Sequence, residues 1–418
     1  MMTDRTRIST RTRLALPAAL LTGLGTTAAH AQDAPGGTPV TESPPVASPV
    51  AAPATAGAWL DIATAMWDVI QRDFLIPDFG LYRERAPQQT EDNAFSYLWP
   101  YSALVSGINA LATVDPGGYG PARDEVLANL EQYWDANSDP PGYDSYVVEF
   151  GGGDKFYDDN EWLGIDFVLA LQATGNDAWL DKARATWAFV ISGWSDDFGG
   201  GIYWKERDFS TKNTCSNGPA AVMALLLHEA TGEQEYLDWA VRILDWTTRL
   251  KDEATGVYSD NIDEHGVIEP TKWTYNTGTP LHANALLYRI TGDAAYLDEA
   301  RSLAAAGLEW FGPVTTLEDG IEVHAFPDTP WFNSILFRGY AALLEVDPEP
   351  DPQYVEAMLG FAAYGWTHAR DENGFLNKDW SGRANTDEPR ALLEQAPIIE
   401  FAATAARLIA NGRLSVGP

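Results

Sequence analysis

The chain has a single cysteine, Cys215, among its 418 residues, so it cannot form an intramolecular disulfide. Its six histidines are scattered and form neither an H-E-x-x-H pair nor a cluster with cysteine, which argues against a zinc site. No G-x-x-x-x-G-K-S/T segment is present, and this excludes a P-loop nucleotide site. No run of 18 apolar residues occurs either, so we expect no ordinary membrane span.

Basic residues are also few. Lys and Arg number 27 against 60 Asp and Glu, which gives a formal net charge of −33. Such a surface repels phosphate backbones, anionic membranes and polyanionic glycans, so we expect neither nucleic-acid nor membrane binding. A neutral substrate fits best, although the charge could also serve solubility alone. The 16 Trp, 17 Tyr and 16 Phe residues supply many flat faces of the kind found in sugar-binding clefts.

The N-terminus has the pattern of a secretory signal peptide over residues 1–31. Four arginines lie among the first 13 residues, an apolar stretch runs from Leu14 to Ala29, and small residues flank His30. The alternative is a disordered basic tail. The signal peptide predicts a secreted or periplasmic protein.

A proline-rich linker is predicted over residues 32–57, because residues 34–56 hold six prolines among small residues and cannot build a core. The folded domain is expected to begin near Ala58. It continues over residues 58–415 without another linker-like break.

One phrase recurs along this domain: Thr-Gly, then an aromatic residue, Leu and Asp. Its threonines are Thr174, Thr231 and Thr291, and apolar residues with helical spacing lie on both sides of each copy. The glycine fits the residue after a helix, where a positive φ is needed, and the acidic or Asn residue that follows suits the next N-cap. Each copy therefore predicts an αα-hairpin.

Weaker copies complete the domain. They comprise two further hairpins and a first and last helix that could pair: Phe95–Thr113 with Pro121–Ala136, Trp331–Val346 with Pro352–His368, and Trp59–Phe74 with Arg390–Ile409. Six hairpins predict an all-α fold, an (α/α)6 barrel. An open solenoid is less favoured because the terminal helices are as apolar as the others, whereas solenoid caps are polar outside. Short ribbons are expected at Gly199–Trp204 and Val257–Ile268.

The links between hairpins are long and rich in Gly, Asp, Asn and aromatic residues. In a closed barrel they all lie at one end, which is where a site would be built. These links are Asp139–Tyr157, Ser195–Asn217, Lys251–Thr279, Phe311–Pro330 and Asp371–Pro389.

Two adjacent aspartates, Asp158 and Asp159, stand where the first of these links meets an apolar helix. Glycoside hydrolysis needs two carboxyl groups across the scissile bond, and a retaining enzyme needs them about 5–5.5 Å apart, which neighbouring side chains can supply. A helix N-terminus favours an anion, so one aspartate can ionise while the other keeps its proton. Taken alone, such a pair is weak evidence and is more often an N-cap with a solvated neighbour.

The context of the pair resembles glycoside hydrolase family 76, the endo-α-1,6-mannanases. The resemblance is strong from Phe95 to Arg301 and extends over the rest of the domain in pattern only. It rests on five segments: Tyr157–Trp162, Gly200–Trp204, Lys212-Asn213, Ser216–Pro219 and Trp273–Gly278. The sequence departs from the family at Glu161, where a small residue is common, and this third acid could alter the proton affinity of the pair.

The resemblance implies an (α/α)6 barrel that acts on α-1,6-linked mannan or manno-oligosaccharides with retention of configuration. It implies that Asp158 is the nucleophile and Asp159 the general acid/base. It also implies that no metal and no organic cofactor take part. We expect a monomer.

Further residues are candidates for substrate binding, each with a structural alternative. Trp99, Tyr157, Trp273 and Tyr275 could stack on sugars or pack within the protein. Asn217 and Asn276 could bind hydroxyl groups or cap helices, and Asp260 lies in a segment that resembles a family binding loop or is a simple turn.

Three other functions compete with the hydrolase. An α-mannan transglycosylase of the same family is the nearest one. A sugar epimerase on the same fold is disfavoured because such enzymes use barrel histidines, and no comparable pair is present here. A catalytically inactive glycan-binding protein is disfavoured because both aspartates are intact.

Overall fold

The structure is a computed structural model that describes residues 52–383 and 388–415. The predicted signal peptide and residues 32–51 of the predicted linker lie outside the described residues. Helix α1 begins at Ala56, where the hydroxyl of Thr55 accepts a hydrogen bond from the backbone N–H of Ala58 at 3.2 Å. The helix therefore starts two residues before the expected beginning of the domain.

Helices dominate the described chain. Twelve of them are long, and one, α12, is a single short turn. Their bounds are α1 (Ala56–Asp73), α2 (Leu98–Val114), α3 (Pro116–Asn129), α4 (Tyr157–Thr174), α5 (Asp177–Ser192), α6 (Thr214–Thr231), α7 (Gln234–Thr247), α8 (Thr274–Thr291), α9 (Ala294–Phe311), α10 (Pro330–Val346), α11 (Gln353–His368), α12 (Leu392–Gln395) and α13 (Pro397–Ala410). Within the described ranges, no helix is both long and apolar enough to cross a membrane.

The long helices form two concentric rings. In the inner ring α2, α4, α6, α8, α10 and α13 contact one another in this order, and α13 contacts α2 to close the circle. Each inner helix pairs with an outer one: α3, α5, α7, α9 and α11 by hairpins, and α1 with α13. The predicted (α/α)6 barrel is confirmed, and so is the pairing of the first and last helices.

Burial explains the different sequences of the two rings. The inner helix α2 buries 13 of its 17 residues and is apolar on almost every side. The outer helix α7 buries 6 of its 14 residues and has one apolar face and one charged face. All inner helices begin at the same end of the barrel, which is also where the long links lie.

The Thr-Gly phrase ends helices as predicted, and the structure adds the reason for the threonine. The Thr174 hydroxyl donates to the Ala170 carbonyl at 2.6 Å and accepts from the Asn176 N–H at 3.2 Å. Gly175 takes a φ of 68° between them. The same pair of bonds surrounds Thr231 and Thr291. One side chain thus satisfies a carbonyl of the ending helix and an N–H of the next turn.

Strands are short and antiparallel, and most lie in the links. They are β1 (Leu75–Ile76), β2 (Leu81–Tyr82), β3 (Arg85–Ala86), β4 (Trp134–Asp135), β5 (Gly142–Tyr143), β6 (Thr211–Asn213), β7 (Ser259–Asp263), β8 (Ile268–Lys272), β9 (Val314–Thr316), β10 (Glu322–His324) and β11 (Arg390–Ala391). β1 pairs with β2, β3 with β11, β4 with β5 and β9 with β10, while β6, β7 and β8 form one sheet.

Several local predictions differ from the structure. The last helix, expected over Arg390–Ile409, is divided into β11, α12 and α13. The ribbon expected at Gly199–Trp204 is reduced to one bridge between Trp194 and Ile202, whereas the other one forms as β7 and β8. Helix α3 begins five residues before the expected Pro121, because the Asp115 side chain caps it by accepting from the Gly118 N–H at 2.9 Å.

Candidate active site

A cavity of about 850 Å³ opens at the end of the barrel where the inner helices begin. The first turns of α2, α4, α6, α8 and α10 form its floor and walls, together with parts of the links. Two expected links, Phe311–Pro330 and Asp371–Pro389, contribute no described residue to the wall. The link between α1 and α2 takes part instead, with Glu84, Arg85 and Tyr97.

Asp158 and Asp159 line this cavity as the second and third residues of α4. Asn160 fixes the start of the helix: its amide oxygen accepts from the Tyr143 N–H at 2.8 Å, and its amide nitrogen donates to the carbonyls of Tyr143 and Phe156. Both aspartates therefore project from a rigid helix start, and Asp159 is 8% exposed.

The surroundings separate the proton affinities of the two carboxyl groups. Burial raises the pKa of Asp158 to about 7, although the Cys215 thiol, the Trp204 side chain and backbone N–H groups at the helix start favour its charged form. Burial and the Asp158 charge raise the pKa of Asp159 well above its usual range. The proton affinities of the pair are therefore unequal, and Asp159 holds a proton more strongly than Asp158.

A third carboxyl group, Glu161, lies one turn further along α4 and is completely buried. Burial, followed by the Asp158 charge, raises the pKa of Glu161 well above its usual range. Within the described ranges, no group forms a well-aligned hydrogen bond with either of its oxygens.

Aromatic side chains form one wall of the cavity. Phe332, in the first turn of α10, contacts Trp99, Trp273 and Tyr275, with ring centroids 6.0, 5.7 and 4.1 Å away. Trp99 remains 38% exposed, so it offers a face to a ligand. On another side Trp204 packs against Phe156 and is 39% exposed.

The sequence candidates separate into three groups. Trp99, Asp260, Trp273 and Tyr275 line the cavity together with the aspartate pair. Asn276 is fully buried behind the wall and donates to Asp260 Oδ1 at 3.2 Å, so it holds Asp260 in place.

Tyr157 and Asn217 are outside the cavity, and we remove them from the proposed site. The ring of Tyr157 stacks on Phe189 at 4.9 Å. The side chain of Asn217 is used up by the main chain: it exchanges two hydrogen bonds with Ile202 and donates a third to the Asn213 carbonyl. Tyr157 therefore packs within the protein, and Asn217 ties the preceding link to the first turn of α6.

Two wall residues, Trp204 and Phe332, were missed from the sequence. Trp204 ends the segment Gly200–Trp204. Phe332 lies two residues after Pro330, in the first turn of a helix, where other site residues also occur. The position of each residue in the sequence could therefore have marked it as a candidate for the cavity wall.

Comparisons with known proteins agree with this fold. The model of glycosyl hydrolase family 76 matches residues 62–414. The chain is 27% identical to the mannan endo-1,6-alpha-mannosidase DCW1 of Candida glabrata over 65% of its own length and 66% of that protein. For the DCW1 protein of Saccharomyces cerevisiae the identity is 28%, over 37% and 38%. The chain thus matches less than two thirds of the length of these curated relatives.

The chain covers a larger share of its solved structural relatives than of the curated proteins. A family 76 glycoside hydrolase (mannosidase) from Bacteroides thetaiotaomicron has a TM-score of 0.78 and 27% identity, over 85% of this chain and all of that one. An α-1,6-mannanase of Salegentibacter sp. has a TM-score of 0.69 and 26% identity, over 84% and 99%. That structure is an inactive variant with two consecutive aspartates replaced by asparagine, in complex with α-1,6-mannotriose. The match over residues 62–414 places this chain in glycosyl hydrolase family 76.

Proposed function

We propose that the protein is an exported, retaining endo-α-1,6-mannanase in which Asp158 is the nucleophile and Asp159 the general acid/base. The observation that carries the proposal is the aspartate pair itself, which has two different proton affinities and lies in an aromatic-walled cavity. Such a split is what a glycosidase needs, since one carboxyl must attack while the other donates a proton.

The reaction has two steps. Asp158 attacks the anomeric carbon, and Asp159 gives its proton to the departing glycosidic oxygen, so a mannosyl ester forms and the rest of the chain leaves. Asp159, now ionised, removes a proton from water, and the resulting hydroxide displaces Asp158 from the sugar. Each displacement inverts the anomeric carbon, so the α configuration is restored. Adjacent carboxyl groups favour this route, because inversion needs a separation of about 6.5–9.5 Å.

The cavity and its charge favour a neutral chain cut internally. Its volume lies toward the upper end of the usual range of about 300–1,000 Å³ for ligand sites, so it accommodates more than one sugar ring. The aromatic wall supplies faces for sugar rings. The mannotriose bound to the Salegentibacter relative supports α-1,6-mannan as the substrate.

The test is incubation with debranched α-1,6-mannan, with chromatography of the products and proton NMR of the first product formed. We expect short oligosaccharides that appear as the α-anomer. Mannose alone would refute internal cleavage, and an initial β-anomer would refute retention. Longer chains formed in the presence of a sugar acceptor would favour the transglycosylase.

Variants test the two residue roles. Asp158→Asn and Asp159→Asn should each abolish hydrolysis and leave the circular dichroism spectrum unchanged. The matched control is Asp177→Asn, which changes an exposed aspartate in the first turn of α5. This control should keep full activity. Near-normal turnover in either cavity variant would contradict the assignment.

A further inference from the structure

Glu161 has no evident function in the packing of the protein. It is completely buried, yet both of its carboxyl oxygens lack a hydrogen-bond partner. Oδ1 of Asp158 is also buried and unpartnered. A buried polar atom without a partner costs roughly 1–3 kcal/mol, and a charged one costs more, so three such oxygens in one place require an explanation.

The geometry of α4 brings these oxygens toward each other. Residues three apart lie on the same face of a helix, and long side chains lean toward the N-terminal turn. Glu161 therefore leans back over the turn that carries Asp158. The Asp158 charge also acts on Glu161 more strongly than the Asp159 charge does.

Among the described residues, no Lys, Arg or His forms an ion pair with Glu161 or contributes to its pKa shift. Helix α2 and strand β5 pack against α4 and contain no charged residue, although they hold Tyr101 and Tyr143. Helix α5 carries its charged residues in its first half, at the far end of the barrel. Helix α6 presents the Cys215 thiol and the Ala220 N–H, and the Ala220 N–H interacts weakly with Glu161 and favours its charged form, outside good hydrogen-bond geometry. A proton on Glu161 allows its carboxyl group to donate a hydrogen bond to Asp158. That bond gives a partner to one oxygen of each of the two carboxyl groups.

We propose that Glu161 is a positioning residue that keeps its proton and donates a hydrogen bond from its carboxyl group to Oδ1 of the nucleophile Asp158. The bond orients Asp158 and stabilises its ionised form, while Glu161 itself does not touch the substrate. This inference rests on the proposed function, because it assigns a role relative to the nucleophile.

The test compares Glu161→Gln, which keeps an N–H donor of similar size, with Glu161→Leu, which has none. The readout is kcat and KM on α-1,6-mannan across pH. In the Leu variant the acid limb should move up by roughly one to two pH units, since hydrogen bonds to charged groups have that strength. Its kcat should fall at least about tenfold with KM unchanged. In the Gln variant, the acid limb and kcat should both stay close to those of the unmodified enzyme.

An unmoved acid limb in the Leu variant would overturn the proposal. An equal shift in both variants would overturn it too, because it would mean that Glu161 carries a charge. Circular dichroism identifies a variant that fails to fold. In that case infrared difference spectra of the unmodified enzyme and Glu161→Gln decide: a protonated-carboxyl band lost on substitution supports the proposal, and its absence contradicts it. If the unmodified enzyme fails to cut mannan, the proposed function is wrong, and the infrared band still tests the proton on Glu161.

Discussion

At the scale of single residues, the site is governed by desolvation. Asp158, Asp159 and Glu161 lie within the first turns of one helix, and burial is the largest cause of the raised pKa of each. Asp158 titrates first because the N–H groups at the start of α4, Cys215 and Trp204 favour its charged form. Its ionisation then raises the pKa of the other two.

These pKa shifts predict a bell-shaped pH profile. Asp158 must be ionised to attack, so kcat/KM should fall as the pH drops through about 7, the pKa of its buried carboxyl. Asp159 must be protonated, so activity should also fall at higher pH, where Asp159 loses its proton. The measurement is kcat/KM on α-1,6-mannan in buffers of constant ionic strength. An acid limb near pH 4 would mean that Asp158 titrates like an exposed carboxyl group.

At the scale of elements, close approach of the inner helices places the site residues. Helices α8 and α10 touch at the backbone: a Cβ on Gly278 would lie 2.6 Å from the Cα of Leu336. This contact brings Tyr275, in the first turn of α8, against Phe332 in the first turn of α10, and so builds the aromatic wall.

We therefore predict that Gly278→Ala destabilises the protein by roughly 1–3 kcal/mol, because the two helices must move apart. The control is Gly360→Ala in the outer helix α11, where a Cβ would meet nothing within 4 Å. That change should be neutral or stabilising by about 0.5–1 kcal/mol, as alanine is the better helix former. Chemical denaturation of both variants measures the difference. Equal stabilities would contradict the proposed helix contact.

At the scale of the whole molecule, closure of the inner ring depends on the contact between α10 and α13. Arg338 of α10 and Glu400 of α13 form a two-bond ion pair at 2.5 and 2.9 Å, with side chains only 13% and 9% exposed. The Arg338 guanidinium also lies over the ring of Trp331, which lines the floor of the cavity. The contact between α10 and α13 therefore links the closure of the barrel to the cavity.

Glu400→Gln should cost about 3–5 kcal/mol of unfolding free energy, since it removes the carboxylate that is paired directly with the buried Arg338 and leaves only Asp166 to act on its charge. The control is Glu233→Gln, which breaks the exposed pair between Arg184 and Glu233, with side chains 42% and 49% exposed. An exposed pair contributes about 0–1 kcal/mol, so this variant should be nearly unchanged. Thermal unfolding of both variants provides the comparison. A small loss in Glu400→Gln would show that Arg338 finds another partner or reaches water.

The sequence by itself determined the barrel and the adjacent aspartates of the proposed catalytic pair, because both depend on local patterns. Thr-Gly phrases end helices through bonds within a few residues, as at Thr174, and apolar periodicity distinguishes inner from outer helices. Asp158 and Asp159 are adjacent in the chain, so their proximity required no knowledge of the fold.

Only the tertiary structure decided which other residues face the cavity. Phe332 meets Trp99 and Tyr275 across three inner helices, which no sequence spacing encodes. Conversely, Asn217 was a candidate ligand, but its side chain is bonded to the main chain of the link that precedes α6. Glu161 could be recognised as an extra acid from the sequence, but its complete burial follows from the packing of α4 within the ring, and burial is what decides its protonation state.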